Sequence, residues 1–270
     1  MIGFFRVLGM ATNICAVNSP VLFGVYILLL IIAAYLLGSV NSAIIVSKYR
    51  YNDDIRKYGS GNAGLTNMNR VYGGSAAALT FFGDVLKQVI AVFLGVLMFD
   101  QIGAYIAGLF CMLGHIAPVF YKFRGGKGVL TAATMVLLID WQVFLVLLVI
   151  WVLVLLLSRY VSLASIMAAF AYPAVVYYAM ITGIGRPEPF SMICAMFVGC
   201  VIIFMHRENI KRLFNNQENK FSFKRSPSLQ EMLDKEDPEN DKAKYAAELR
   251  RAQEEAEHKK AKGNSKKKKR

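Results

Sequence analysis

Between residues 21 and 205 the chain is a succession of apolar stretches, near 21–47, 76–99, 102–121, 129–140, 142–157, 163–182 and 190–205. A run of about 20 apolar residues crosses roughly 30 Å of hydrocarbon as a helix, the one open-chain form that satisfies its own backbone in lipid. The pattern therefore predicts an all-α polytopic membrane protein. Composition agrees once the chain is divided. Residues 1–214 hold 15 Lys/Arg and 7 Asp/Glu, whereas 215–270 hold 16 and 11, so the 56% hydrophobic content averages two unlike polymers. The division gives a membrane domain at 21–214 and a charged tail at 215–270. Residues 1–20, with Arg6, form a broken apolar run without a clean cleavage signal and stay unassigned. Cys15, Cys111, Cys194 and Cys200 show no metal-ligand or redox spacing, so they read as small hydrophobes and no metal is expected.

The span count turns on 129–157, 29 nearly uninterrupted apolar residues. One helix of that length would measure about 43 Å, too long for a comfortable crossing, and would carry Asp140 to membrane depth at about 2.5–3.5 kcal/mol. A turn at Asp140–Trp141 resolves both problems and yields about seven spans. With seven, the connections 48–75, 122–128, 158–162 and 206–214 share one side. They carry Lys48, Arg50, Arg56, Lys57, Arg70, Lys122, Arg124, Lys127, Arg159, Arg207, Lys211 and Arg212, against Arg6 and Arg186 opposite. The positive-inside rule then places those four connections and the C-terminus in the cytoplasm and the N-terminus outside. Six spans would separate the first two connections from the last two.

These same connections are rich in groups that hold phosphate. In the first, Gly59-Ser-Gly-Asn-Ala-Gly-Leu-Thr-Asn-Met-Asn-Arg70 offers glycines at 59, 61 and 64 that let the backbone approach a ligand with its N–H groups. Ser60, Asn62, Thr66 and Asn67 add short polar side chains, and Arg70 a planar fork. A flexible interhelical loop is the plain alternative. In the second, Arg124-Gly-Gly-Lys-Gly128 opens the next helix as an anion cradle of exposed N–H groups and a lysine, without Walker A spacing. Here the alternative is a lysine reaching for the interface. The third, Arg159-Tyr-Val-Ser-Leu-Ala-Ser165, places Ser162 and Ser165 on one helix face. In the fourth, His206 and Asn209 are likewise three apart. Within the membrane, Asp84 and Lys87 read as a mutually neutralising pair.

Together these segments resemble the PlsY family, the bacterial acyl-phosphate:glycerol-3-phosphate acyltransferases. The family's GSGNxGxTNxxR appears at Gly59–Arg70, its GHxxPxxxxFxGGKGVxT at Gly114–Thr131, its RYVSLxSI at Arg159–Ile166 and its HRxNIxRL at His206–Leu213. Ala63, Leu65, Ala117, Gly38-Ser-Val-Asn41, Gly83 and Gln88 depart from the pattern. The resemblance implies a multi-pass enzyme of the bacterial plasma membrane with its active site at the cytoplasmic face and no cofactor. It implies an acyl-phosphate site made by Gly59, Ser60, Gly61, Asn62, Thr66, Asn67, Gly125, Gly126 and Gly128. It implies a glycerol 3-phosphate site made by Arg70, Lys127, Ser162 or Ser165, His206 and Asn209. Ser60, Asn62, Arg70, Lys127, His206 and Asn209 would be the catalytic set, and lysophosphatidic acid and phosphate the products.

No His-x4-Asp dyad or GxSxG elbow occurs. An acyl phosphate is already activated, so direct transfer without an acyl-enzyme is expected. A CDP-alcohol phosphotransferase would need an aspartate cluster that 48–214 lacks apart from Asp53–Asp54. A membrane transporter of phosphate or an organophosphate would show internal repeats and mid-membrane polar groups. In the tail, 215–227 reads as a linker and a solvated helix is expected from Asp241. The final Lys266–Arg270 could sit on anionic lipid, with nucleic-acid binding the weakest option. Deleting 228–270 is expected to leave acyl transfer intact.

Overall fold

The computed structural model describes residues 20–184 and 189–221; Arg6, Arg186 and the tail helix expected from Asp241 lie outside the described residues. Nine α-helices follow one another there: α1 (Pro20–Ser39), α2 (Ser42–Tyr51), α3 (Leu65–Tyr72), α4 (Gly74–Ile116), α5 (Val129–Ile139), α6 (Trp141–Ser158), α7 (Val161–Thr182), α8 (Pro189–Met205) and α9 (Arg207–Phe214). Among the described residues four helical stretches are long and apolar enough to cross a membrane by length and composition, or five if α8 and α9, bent by 56° to each other, are counted as one span. The protein is thus a multi-pass helical membrane protein.

The stretch 21–47 remains one candidate span by length and composition, within Pro20–Tyr51, but it is two helices broken at residues 40–41. Helix α1 stops at Ser39, and Asn41 starts α2 by accepting the Ile44 amide proton on its side chain at 3.1 Å. The end of α1 is satisfied from another element: the Lys87 ammonium donates to the carbonyls of Gly38 (3.1 Å) and Val40 (2.9 Å). Helix ends leave carbonyls without intrahelical partners, and a buried ammonium is one way to answer them.

Helix α4 keeps continuous assignment but not a single axis. Phe99 (φ −142°, ψ 28°) and Asp100 (φ 52°, ψ −136°) leave the helical region. In a straight helix residues 88 and 108 would lie about 30 Å apart, yet the Gln88 amide donates to the Gly108 carbonyl at 3.0 Å. The helix is a hairpin of two antiparallel arms, 74–98 and 101–116. Gly95 and Gly103 sit where the arms press together, and a Cβ on either would run into the other's backbone. On the first arm lies the expected ion pair, with Lys87 Nζ 2.9 Å from Asp84 and both almost wholly buried, and Lys87 Nζ reaches across the hairpin to within 3.0 Å of His115 Nδ1.

The expected turn after Ile139 is present. Asp140 is non-helical and caps α6 by accepting the Val143 amide proton at 3.2 Å, while Trp141 is exposed beside it. At 11 residues α5 measures about 16 Å, roughly half the hydrocarbon thickness. It starts inside the glycine loop because Gly128, at φ 82°, permits the turn. Met112, Met135, Ala195 and Val198 belong to the apolar core that α4, α5, α7 and α8 share beneath the loops.

Candidate active site

The hairpin returns the chain to the end of the bundle from which α4 set out, so the first two polar connections meet. The Ala63 amide donates to the Gly125 carbonyl at 3.4 Å. The Arg56 guanidinium, clamped by Asp54, reaches the carbonyls of Tyr121 (2.8 Å) and Arg124 (3.3 Å). The second connection touches the fourth through a hydrogen bond from Lys127 Nζ to Asn209 Oδ1. The third joins them through a carboxylate: Glu218 accepts from Ser162 Oγ (2.9 Å), Asn209 Nδ2 (2.8 Å) and Arg212 Nε (2.8 Å). All four connections therefore form one rim at one end of the bundle.

Within the first loop the structure revises two expectations. Backbone N–H groups were expected to face a ligand, but four of them are engaged internally. Ser60 N–H donates to the Asn67 side chain (3.0 Å), Gly61 N–H to Tyr58 O, Gly64 N–H to Asn62 O, and Ala63 N–H to Gly125. A loop without a helix or sheet ladder must answer its own polar backbone, and this one does so with turns. Asn67 is the organiser. Its buried amide also donates to Tyr58 O (3.0 Å) and Asn62 O (3.1 Å), so it shapes the loop and is not aimed at a ligand. Gly59 is at φ 58°, and a Cβ there would strike the Asn67 side chain. Ser60, Gly61 and Thr66 are exposed on the loop's outer surface and Asn62 is half-buried.

The glycine loop before α5 is similar. Gly125 N–H donates to Ile116 O (3.1 Å) and Gly126 N–H to His115 O (3.0 Å), which zips the loop onto the end of the hairpin. The expected cradle is narrower than the motif suggested. What remains toward the rim is Lys127 and the N-terminus of α5. Burial, followed by the nearby charge of Arg212, lowers the Lys127 ammonium to a pKa of about 8. Arg70, exposed at the end of α3, adds to the same positive field.

Spacing left Ser162 and Ser165 equivalent, and the structure separates them. Ser165 donates to Val161 O (2.9 Å) and accepts from Trp151 Nε1 (3.2 Å), one turn deeper. Ser162 points to the rim. His206 caps α9, with Nδ1 donating to Ile202 O at 2.8 Å, which leaves Nε2 as the acceptor nitrogen of a neutral ring. Burial, reinforced by Lys127, lowers this imidazole to a pKa of about 4. Glu218 is the residue that sequence reasoning missed. It lies in a stretch read as linker, and no motif marks it. Burial would raise its carboxyl, but the hydrogen bonds from Arg212, Asn209 and Ser162 hold it below the usual range.

A helical membrane bundle whose loops gather lysine, arginine, serine and amide groups on one rim defines a membrane protein with a positively charged, hydrogen-bond-rich rim. Residues 28–216 match the family described as glycerol-3-phosphate acyltransferase. The glycerol-3-phosphate acyltransferase of Thermoanaerobacter sp. (strain X514) is 44% identical over 199 residues, 74% of this chain and 98% of that protein. That of Shewanella oneidensis is 41% identical over 203 residues, covering 75% and 96%. Among solved structures, the glycerol 3-phosphate form of PlsY, an integral membrane glycerol 3-phosphate acyltransferase, superposes with a TM-score of 0.66 at 37% identity, over 73% of this chain and 96% of that one. Its lysophosphatidic acid form gives a TM-score of 0.63 at 36% identity over the same shares. The chain belongs to the glycerol-3-phosphate acyltransferase family of the PlsY type.

Proposed function

We propose that this protein moves a fatty acyl group from acyl phosphate to glycerol 3-phosphate at the cytoplasmic face of the bacterial plasma membrane. It does so as a seven-span protein with its N-terminus outside and makes lysophosphatidic acid and phosphate. The observation that carries this reading is the cluster in which Ser162, Asn209 and Arg212 donate to one carboxylate and Lys127 donates to Asn209 beside it, an anion site with charge and hydrogen-bond donors already in place. Glycerol 3-phosphate puts its phosphate among these groups, with Arg70 nearby. The donor's phosphate lies between Ser60, Gly61, Asn62 and Thr66 on one side and the Gly125–Gly128 turn and the start of α5 on the other. Gly59 and Asn67 serve this site by shaping the loop. Because Ala63 is bonded to Gly125, the two loops assigned to the donor's phosphate abut, and Lys127 in the second of them reaches Asn209 on the acceptor's side.

The chemistry then asks little of any side chain as acid or base. The mixed anhydride has a good leaving group, so catalysis is positioning plus charge neutralisation, the two effects that lower the barrier most in such transfers. A glycerol hydroxyl oxygen bonds to the acyl carbon, the acyl carbon–phosphate oxygen bond breaks, and the proton leaves with the phosphate. His206 orients the hydroxyl through Nε2; an imidazole with a pKa of about 4 is a weak base at neutral pH. The test supplies purified protein and labelled glycerol 3-phosphate with acyl phosphate, acyl-CoA or acyl carrier protein in turn. Only acyl phosphate should give lysophosphatidic acid with stoichiometric phosphate. A labelled acyl-enzyme trapped with donor alone would refute direct transfer. Uptake of glycerol 3-phosphate into proteoliposomes without acylation would favour the transporter reading.

A further inference from the structure

Two consecutive residues of the second connection, Lys122 (φ 58°) and Phe123 (φ 57°), stand in the left-handed region of backbone space. An L side chain is disfavoured there, and two in succession need an external restraint. Both side chains are exposed, Phe123 to 63%, so packing does not supply it. Backbone bonds within the turn supply part of it: Tyr121 N–H (3.1 Å) and Phe123 N–H (3.0 Å) both donate to the Pro118 carbonyl. The rest comes from the first connection. Arg56 Nη1 donates to Tyr121 O at 2.8 Å and to Arg124 O at 3.3 Å, the carbonyls of the two residues that flank the left-handed pair. The other edge of the guanidinium is itself fixed. Its Nε (2.9 Å) and Nη2 (2.6 Å) donate to Asp54, and the same carboxylate accepts the Arg56 backbone N–H at 3.1 Å. The side-chain bonds from Arg56 hold the Asp54 carboxyl below the usual carboxylate range, so both partners are charged at neutral pH.

We infer that Asp54 and Arg56 form a positioning clamp: they keep the Lys122–Phe123 turn left-handed, and the turn sets where the Gly125–Lys127 loop lies. The inference rests on the assignment of that loop to the substrates' phosphates. Arg56 acts through the backbone and not on substrate, because Nε and Nη2 are engaged by one carboxylate and Nη1 by two carbonyls. Lysine cannot replace it, since one ammonium has no planar fork with which to face a carboxylate and two carbonyls at once. Arg124 leads directly into Gly125, whose carbonyl accepts from Ala63 N–H. A turn that relaxed at 122 or 123 would redirect the chain just before that junction. Lys127 would then lose its place beside Asn209.

The test measures kcat/KM for glycerol 3-phosphate and for acyl phosphate in the full-length protein reconstituted in vesicles. Arg56→Gln should lower both values by about 10- to 100-fold, the scale of a small misplacement at a reacting centre. Arg56→Lys should recover little of that. Lys122→Gly combined with Phe123→Gly removes the disfavoured conformation, and with Arg56 present should change either value by less than about threefold. In this glycine background the cost of Arg56→Gln should shrink to about threefold or less, because the clamp and the turn are coupled. The glycines should restore activity without restoring the thermal midpoint, since they also loosen the unfolded chain. An equal cost of Arg56→Gln in both backgrounds would overturn the clamp, and so would full activity in Arg56→Lys. A glycine pair that inactivates the enzyme by itself would overturn it too, because the turn would then depend on its side chains. If Arg56→Gln does not fold, Asp54→Asn, which leaves the guanidinium present but unclamped, is read in the same two backgrounds. If Lys127→Ala leaves kcat/KM for glycerol 3-phosphate untouched, the substrate assignment itself is wrong. That outcome is distinct from simple additivity of Arg56→Gln with the glycines.

Discussion

The ammonium of Lys127 is hydrogen-bonded to the side-chain oxygen of Asn209, 82 residues later in the chain. One group stands at the entrance to α5 and the other in the first turn of α9, so a single contact joins the glycine loop to the end of the last apolar helix. It also explains why a lysine with a lowered pKa stays at the rim: Asn209 supplies an acceptor while Glu218 supplies charge. A phosphate entering here would restore the ammonium's preference for the charged form.

The pH profile should show this lysine. Its pKa of about 8 means that the free enzyme carries the charge below that pH and loses it above. Affinity for an anionic substrate is therefore present at pH 7 and declines as pH rises through 8. The second ionisation of a phosphate monoester, near pH 6, is too low to cause that limb. We expect kcat/KM for glycerol 3-phosphate to fall on the alkaline side with an apparent pKa near 8, and kcat to fall less because bound phosphate holds the proton on. Lys127→Arg should move the limb out of range, and Lys127→Ala should lose about 100- to 1,000-fold in kcat/KM. A limb unchanged in Lys127→Arg would assign it elsewhere.

His206 should leave no mark on the same profile between pH 5.5 and 7.5. Burial beside Lys127 puts its ionisation near pH 4, so the ring is neutral across that window and acts as a hydrogen-bond acceptor. His206→Ala should lower kcat by about 10- to 100-fold, the loss of one oriented contact, without shifting the alkaline limb. An acid limb near pH 6 that disappears in the variant would restore His206 as general base.

The two serines of the third connection should behave differently. Ser162 gives its proton to a charged acceptor at the rim, and bonds to charged groups contribute about 1.5–3 kcal/mol. Ser162→Ala should raise KM for glycerol 3-phosphate at least tenfold. Ser165 is engaged by Val161 and Trp151, so Ser165→Ala should leave KM within about threefold and show instead as a small drop in thermal stability. Equal effects on KM would contradict the separation.

How far the sequence foretold this rim depends on what held each part in place. Six of the seven hydrophobic runs each fall on one helix or on one arm of the α4 hairpin, because lipid demands continuous apolar surface. The Asp140 turn was visible because a charge at membrane depth is costly. The first stretch misled: residues 40–47 are apolar enough to continue α1, and only a lysine 49 residues from Gly38 in sequence reveals the end of the helix. The family resemblance implied that Lys127 and Asn209 share one site but could not say that the glycines' N–H groups were already bonded to the carbonyls of His115 and Ile116. Glu218 was illegible for a simpler reason, since a lone carboxylate in a polar linker is the commonest pattern there is. Gln88 and Gly83, departures from the family pattern, become intelligible only in three dimensions: Gln88 ties the hairpin arms and Gly83 abuts Ser42.

The glycine loop offers the sharpest test of how the buried charges support the site. Asp84 and Lys87 hold the His115 ring, and the ring lies against Gly126 so closely that a Cβ there would strike Nε2. A Cβ on Gly125 would strike the His115 backbone carbonyl instead. Gly125→Ala and Gly126→Ala should each displace Lys127 and lower kcat/KM. Truncating the ring removes only the obstacle to the second. Gly126→Ala should therefore cost much less in a His115→Ala background than in wild type, while the cost of Gly125→Ala should be unchanged there. Neighbours that share a contact depart from additivity by about 0.5–3 kcal/mol, which is measurable as roughly 2- to 150-fold in kcat/KM. If both glycine variants combine additively with His115→Ala, the ring does not position the loop. The Asp84–Lys87–His115 group would then serve only to join α1 to the hairpin.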